Sequence, residues 1–119
     1  MKNLSISEVS QKFNITNSTI RYYEKVGILS DIPRDTGGRR YFDNNIIEWL
    51  EMILCLRASG VSIEALIKYA DLVRLGEGTI SERIALLSEQ RENLQNQKNQ
   101  LDRSLQKLNH KIEFYSFKI

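Results

Sequence analysis

The chain is poor in the residues that staple or interrupt a fold. One cysteine, Cys55, excludes an intramolecular disulfide framework, and with a single histidine, His110, it leaves no set of ligands for a structural zinc site. No metal and no cofactor is expected. No run of about 18 apolar residues is present to span a bilayer. The first ten residues lack the apolar stretch of a secretory signal, so the expected compartment is a reducing cytoplasm. There is no phosphate-binding loop, no dinucleotide fingerprint and no pairing of Cys or Ser with His and a third member, so an enzyme is not expected. Net charge is also scant, at +2 over 119 residues.

The breakers that do occur are unevenly placed. The one proline is Pro33, and all six glycines fall between Gly27 and Gly78. The last 41 residues, Thr79 to Ile119, contain neither. An uninterrupted third of the chain reads as one long helix, which needs a partner to cover any apolar face it carries.

The preceding part divides into short pieces. Ser5 with Glu8 three positions on forms a capping-box pattern, and Ile6, Val9 and Phe13 then share one helical face. After Asn14-Ile15, Thr16 is placed to cap a second helix that runs to Val26 and ends at Gly27. Two helices this short and this closely joined have the dimensions of a helix-turn-helix, and equally of a plain helical hairpin. Residues 31–42, with Asp35-Thr36-Gly37-Gly38 at their centre, suggest a small hairpin or wing. Asp43 and Ser62 are placed to cap a third and a fourth helix, and Gly76-Glu77-Gly78 closes that region. Thr79 followed by Glu82 repeats the capping-box pattern at the start of the last helix. The expected fold is mainly α, in three parts: residues 1–43, a helical linker pair at 44–78, and a dimerisation helix at 79–119.

That last helix carries a heptad seam. Ile80, Leu87, Leu94, Leu101, Leu108 and Tyr115 fall at one seam position, and Ile84, Arg91, Lys98, Leu105, Ile112 and Ile119 at the other. Ten of these twelve are apolar, which predicts a coiled coil and hence a homodimer. Arg91 and Lys98 would each face their own copy in a parallel pairing, so an antiparallel arrangement is expected. His110 lies outside the seam and is read as a solvated residue.

Nucleic-acid signals are local rather than global. The three parts carry charges of +2, −2 and +2, so none has the strongly basic footprint of many DNA binders. On the second helix, however, Asn17, Ser18, Arg21, Tyr22 and Lys25 share an outer face while Ile20 points inward. Short polar groups in the first turn of such a helix reach base edges, and an arginine one turn on reaches guanine or phosphate. Arg39 and Arg40, beside Tyr41 on the turn, suit backbone phosphates. A pair of such units related by a two-fold axis matches a palindromic site.

Taken together, the blocks Ser5-Ile6-Ser7-Glu8-Val9, Thr19-Ile20-Arg21-Tyr22-Tyr23-Glu24-Lys25-Val26-Gly27-Ile28-Leu29, Gly37-Gly38-Arg39-Arg40-Tyr41-Phe42 and Leu56-Arg57-Ala58-Ser59-Gly60-Val61-Ser62-Ile63 resemble the MerR family of bacterial transcription regulators. The resemblance implies a winged helix-turn-helix, a helical linker pair and an antiparallel coiled coil between subunits. It further implies binding of a homodimer to double-stranded promoter DNA, which is untwisted and kinked so that RNA polymerase engages both promoter elements. Carried over by residue, Thr16, Asn17, Ser18, Arg21, Tyr22 and Tyr23 match the recognition helix, and Arg39, Arg40 and Tyr41 match the wing. No cysteine stands where the metal-sensing branch needs one. Cys55-Leu56-Arg57, residues 78–83 and Lys111-Ile112-Glu113-Phe114-Tyr115 look like the AdhR/NmlR group, associated with aldehyde and thiol-reactive stress. That similarity implicates Cys55 as a sensor, although Glu51 and Glu48 on the same side of its helix oppose a thiolate. Two other readings stand beside this one: a small apolar effector held near Trp49, Tyr69 and Tyr115, and a coiled-coil adaptor that does not bind DNA.

Overall fold

The computed structural model describes residues 3–119. The order of elements is β1 (Leu4–Ser5), α1 (Ile6–Phe13), α2 (Asn17–Val26), β2 (Tyr41–Phe42), α3 (Asn44–Ala58), α4 (Ile63–Arg74), a 3-10 turn (Glu77–Thr79) and α5 (Ile80–Ser116). The protein is therefore mainly α. It divides into two compact units, one ending at Arg83 and one running from Ile84 to Ile119.

Local chemistry starts and stops the first four helices. Ser5 accepts from the Glu8 amide at 3.1 Å while the Glu8 carboxylate accepts from the Ser5 amide at 2.9 Å, a complete capping box for α1. Asn14 ends α1 in the left-handed region at φ 54°. Thr16 accepts from the Thr19 amide at 3.1 Å to open α2, and Gly27 closes it at φ 92°. A side chain at Gly27 would be strained by that φ, and its Cβ would lie 3.2 Å from the Arg74 guanidinium. Asp43 and Ser62 cap α3 and α4 by accepting from the amides of Ile46 and Ala65.

The fifth helix starts by a different device from the capping box expected at Thr79. Chain from Glu77 to Thr79 forms a 3-10 turn, and the Thr79 hydroxyl is turned inward, 2.6 Å from the Leu72 carbonyl. Arg83 donates to the same hydroxyl at 3.0 Å and to the Gly76 carbonyl at 2.6 Å. Thr79 is buried, so its oxygen ties the turn back to α4 rather than serving the free amides of α5.

The wing is small, as the turn signal suggests. Only Arg34 and Arg40 form a bridge across it. The Asp35 carboxylate holds the turn by accepting from the amides of Gly37 and Arg39 at 2.9 and 3.0 Å. The Tyr41 amide also donates to the Pro33 carbonyl at 3.0 Å, and Tyr41 and Phe42 pair with the first strand, antiparallel, with Leu4 opposite Phe42 and Ser5 opposite Tyr41. This pairing lays the far end of the wing beside the start of α1.

The core of the first unit draws on every one of these pieces: Val9 from α1, Ile20 and Tyr23 from α2, Ile28 and Leu29 beyond it, Phe42 from β2, Leu50 and Ile53 from α3, and Val61 and Leu66 near α4. In the second unit the seam residues Leu101, Leu105, Leu108 and Ile112 stand more than half exposed in the single chain. No helix among the described residues is long and apolar enough to cross a membrane.

Candidate nucleic-acid interface

α2 is amphipathic, and its core side fixes which residues its other side shows. Ile20 and Tyr23 are buried, which leaves Ser18, Arg21, Tyr22 and Lys25 exposed and Asn17 half-buried in the first turn. The Tyr22 ring stands free of the core, tilted against Tyr23 with the centroids 6.1 Å apart. Thr16 is exposed, with its hydroxyl occupied in capping the helix and 2.9 Å from that of Thr19. Tyr23, included among the recognition-helix candidates, is a core residue with only 5% of its surface exposed.

The two wing arginines have separate situations. Arg39 is exposed at the end of the turn. Arg40 turns back to α2 and forms a forked ion pair with Glu24, with Nη2 2.9 Å from Oε1 and Nε 3.3 Å from Oε2. Both side chains are largely shielded from water, so the fork fixes the wing against the recognition helix. Arg40 thus has its charge matched within the fold, whereas Arg39 presents its charge outward. Tyr41 is half-buried on β2. The turn itself is braced by Arg34, which donates to the Gly38 carbonyl at 2.9 Å.

A shallow groove runs beside α2, lined by Ser18, Thr19, Tyr22, Tyr23, Arg57 and Ile63. Arg57 is a contributor that the sequence pattern does not single out. At the C-terminal end of α3 a lone arginine looks like an ordinary complement to the helix dipole. Folding carries it to the recognition face, where it is exposed and donates weakly to the Val61 carbonyl at 3.4 Å. Arg57 at the end of α3 thus stands on the groove beside α2, the helix that carries the exposed cations Arg21 and Lys25, and Arg39 is exposed on the wing that the Arg40–Glu24 fork ties to that helix. This arrangement can grip a polyanionic backbone while a polar helix face meets what lies between its strands.

Cys55 lies outside this groove. It is an exposed free thiol on α3, and its carbonyl accepts from the Ser59 hydroxyl at 3.1 Å. Glu51 and Glu48 are exposed on the same helix, and Glu48 accepts from the Asn44 carboxamide at 3.2 Å. Among the described residues no three His, Cys, Asp or Glu side chains gather to hold a metal ion. Trp49 and Tyr69 stack with their centroids 5.5 Å apart and their planes at 11°. Tyr115 meets Phe114 edge-on within the second unit.

Comparison with known proteins agrees with this geometry. A family model described as MerR HTH family regulatory protein matches residues 4–72. The HTH-type transcriptional regulator AdhR of Bacillus subtilis is 40% identical over 91 residues, which span 76% of this chain and 65% of AdhR. An HTH-type transcriptional regulator of Haemophilus influenzae is 33% identical, over 92% of this chain and 81% of that protein. Among solved structures, HiNmlR, a MerR family regulator lacking the sensor domain and bound to promoter DNA, superposes with a TM-score of 0.88 at 31% identity. That match covers 97% of this chain and 91% of HiNmlR. A MerR family transcriptional regulator from Listeria monocytogenes gives a TM-score of 0.90 at 39% identity, over 95% and 86% of the two chains.

Proposed function

Since the chain belongs to the MerR family of helix-turn-helix regulators and is a DNA-binding transcriptional regulator, we propose that it acts on promoter DNA as a homodimer paired through an antiparallel coiled coil. In this reading residues 1–43 form the winged helix-turn-helix, 44–78 the linker pair and 79–119 the dimerisation helix. Asn17, Ser18, Arg21 and Tyr22 face the groove of the DNA. Arg39 and Arg57 hold phosphates on either side. Thr16, Tyr23, Arg40 and Tyr41 set the position of the reading surface.

The observation that carries the reading is the exposed polar face of α2, with Arg57 on the groove beside it and the wing tied to the same helix by the Arg40–Glu24 fork. The seam supplies the second copy. Apolar side chains this exposed along a helix are costly in water and are covered by a matching seam. Two recognition helices related by a two-fold axis then address a palindromic operator. Twisting and bending that operator is the step that brings RNA polymerase into register, with specificity read partly as the deformability of DNA between the half-sites. Cys55, exposed on α3, is the residue through which a thiol-reactive aldehyde would act on the dimer. The site of action in this reading is the cytoplasm.

Selection of bound sequences from a random DNA pool, followed by footprinting with and without a reactive aldehyde, tests the proposal. Enrichment of an inverted repeat protected on both halves is expected, with binding that weakens steeply as salt rises. Recovery of no enriched sequence at low salt would leave the adaptor reading in its place.

A further inference from the structure

A cavity of about 200 Å³ lies within the first unit, between α3, α4 and the chain that leaves the recognition helix. Ile28, Ile32, Ile46, Trp49 and Val73 supply apolar walls, and Ser30, Asn45 and Arg74 supply the polar groups. We propose that this cavity is an effector site for a small neutral molecule, a single ring or short branched chain carrying one hydrogen-bond acceptor. The proposal rests on the reading of α2 as the recognition helix.

Size favours a small ligand. Apolar cavities of roughly 150 Å³ accommodate benzene, so the 200 Å³ here, open to solvent on one side, takes a ring with a small substituent. Charge sets its type. The Arg74 guanidinium is the one cation in the wall, and it is already paired with the Asp71 carboxylate and donates to the Gly27 carbonyl. With its charge matched, an anion gains little from entering a mostly apolar space, and a neutral acceptor loses little. The Asn45 carboxamide and the Ser30 hydroxyl are the donors left for a carbonyl or ether oxygen.

Position gives the cavity its consequence. The Trp49 indole N–H donates to the Ile28 carbonyl at 2.8 Å, and Arg74 donates to the carbonyl of Gly27. Those two carbonyls belong to the first residues after α2. Both side chains that anchor the end of the recognition helix are thus also walls of the cavity. A ligand that prefers one placement of Trp49 and Arg74 biases the placement of α2, by as much as its affinity differs between the two.

Trp49 is the only tryptophan, so its indole N–H gives a single, assigned-by-composition signal in a ¹⁵N–¹H spectrum of the intact protein. Titration with acetophenone should shift that signal saturably, and benzoate should bind at least tenfold more weakly. Val73→Phe, or Ile46→Phe from the opposite wall, should abolish the shift while retaining DNA binding. Saturating acetophenone should change the affinity of the wild-type protein for its selected operator at least threefold. The effector site is overturned by an unsaturable or absent shift, as occurs if a second copy of the chain already fills the cavity. Equal binding of benzoate, a shift that survives both filled-cavity variants, or an unchanged operator affinity would also overturn it. Absence of DNA binding in the ligand-free protein would instead count against the regulator reading, whatever the indole signal does.

Discussion

Arg40 reaches back sixteen residues to Glu24 and joins the wing to the recognition helix through two parallel N–H···O contacts. Such a fork specifies direction as well as proximity, because a planar guanidinium meets a carboxylate in one plane.

Breaking that fork should separate stability from recognition. Arg40→Ala should lower unfolding free energy by about 1 kcal/mol, as expected of a pair still in partial contact with water. Operator affinity should fall by roughly tenfold, about 1.4 kcal/mol, because the wing loses its reference to α2. Arg40→Lys should not restore it, since an ammonium cannot form the fork. Urea unfolding and gel-shift titration on the same preparations check this, and full recovery in the lysine variant would contradict a geometric role.

Arg39 and Arg57 should behave as phosphate contacts. Alanine at either position should weaken binding to all sequences alike and reduce the slope of log affinity against log salt by about 1. Arg21→Ala should cost about 1–3 kcal/mol and relax preference at one base position of each half-site. Salt titrations with the selected operator and with single-base variants distinguish the two kinds of loss.

The seam should fail to pair when a charge is placed within it. Leu101→Asp or Ile112→Asp should yield a monomer in sedimentation experiments while the first unit keeps its own core intact. Operator binding should then be lost, since a single recognition helix engages only one half-site. A dimer that survives both substitutions would place the interface elsewhere.

Cys55→Ser should leave operator affinity within twofold of wild type, because the thiol stands apart from the groove beside α2. The transcriptional response to a reactive aldehyde should disappear in a reporter assay. A preserved response in the serine variant would remove Cys55 from the signalling route.

Phe42→Ala tests the core. The side chain is fully buried between β2 and the helices around it, and its removal should cost about 3–5 kcal/mol, measured by denaturant unfolding.

Helix starts were readable from the sequence wherever the signal is local. Ser5, Thr16, Asp43 and Ser62 each bond an amide three residues on, so pattern and structure coincide. Thr79 shows the limit of that logic. The same spacing to Glu82 is present, yet burial beneath α4 draws its hydroxyl to Leu72, a tertiary preference no short window contains. The pairing of Leu4–Ser5 with Tyr41–Phe42 was equally out of reach, since strands of two residues carry no alternation to read. In the candidate site, the outer face of α2 followed from helical period. The diversion of Arg40 to Glu24 and the arrival of Arg57 beside Tyr22 depend on contacts between elements distant in the chain, and only the fold reveals them.

The second unit has a consequence for dosage. From Ile84 to Ile119 a single chain buries only Leu86, so this part has little core of its own. On the proposed pairing its order comes from the other copy, and the population of the paired form rises with the square of the free chain concentration when copies are few. Operator occupancy would then switch over a narrower range of synthesis rates than a monomeric binder allows, and doubling the gene would more than double the bound promoter at low expression.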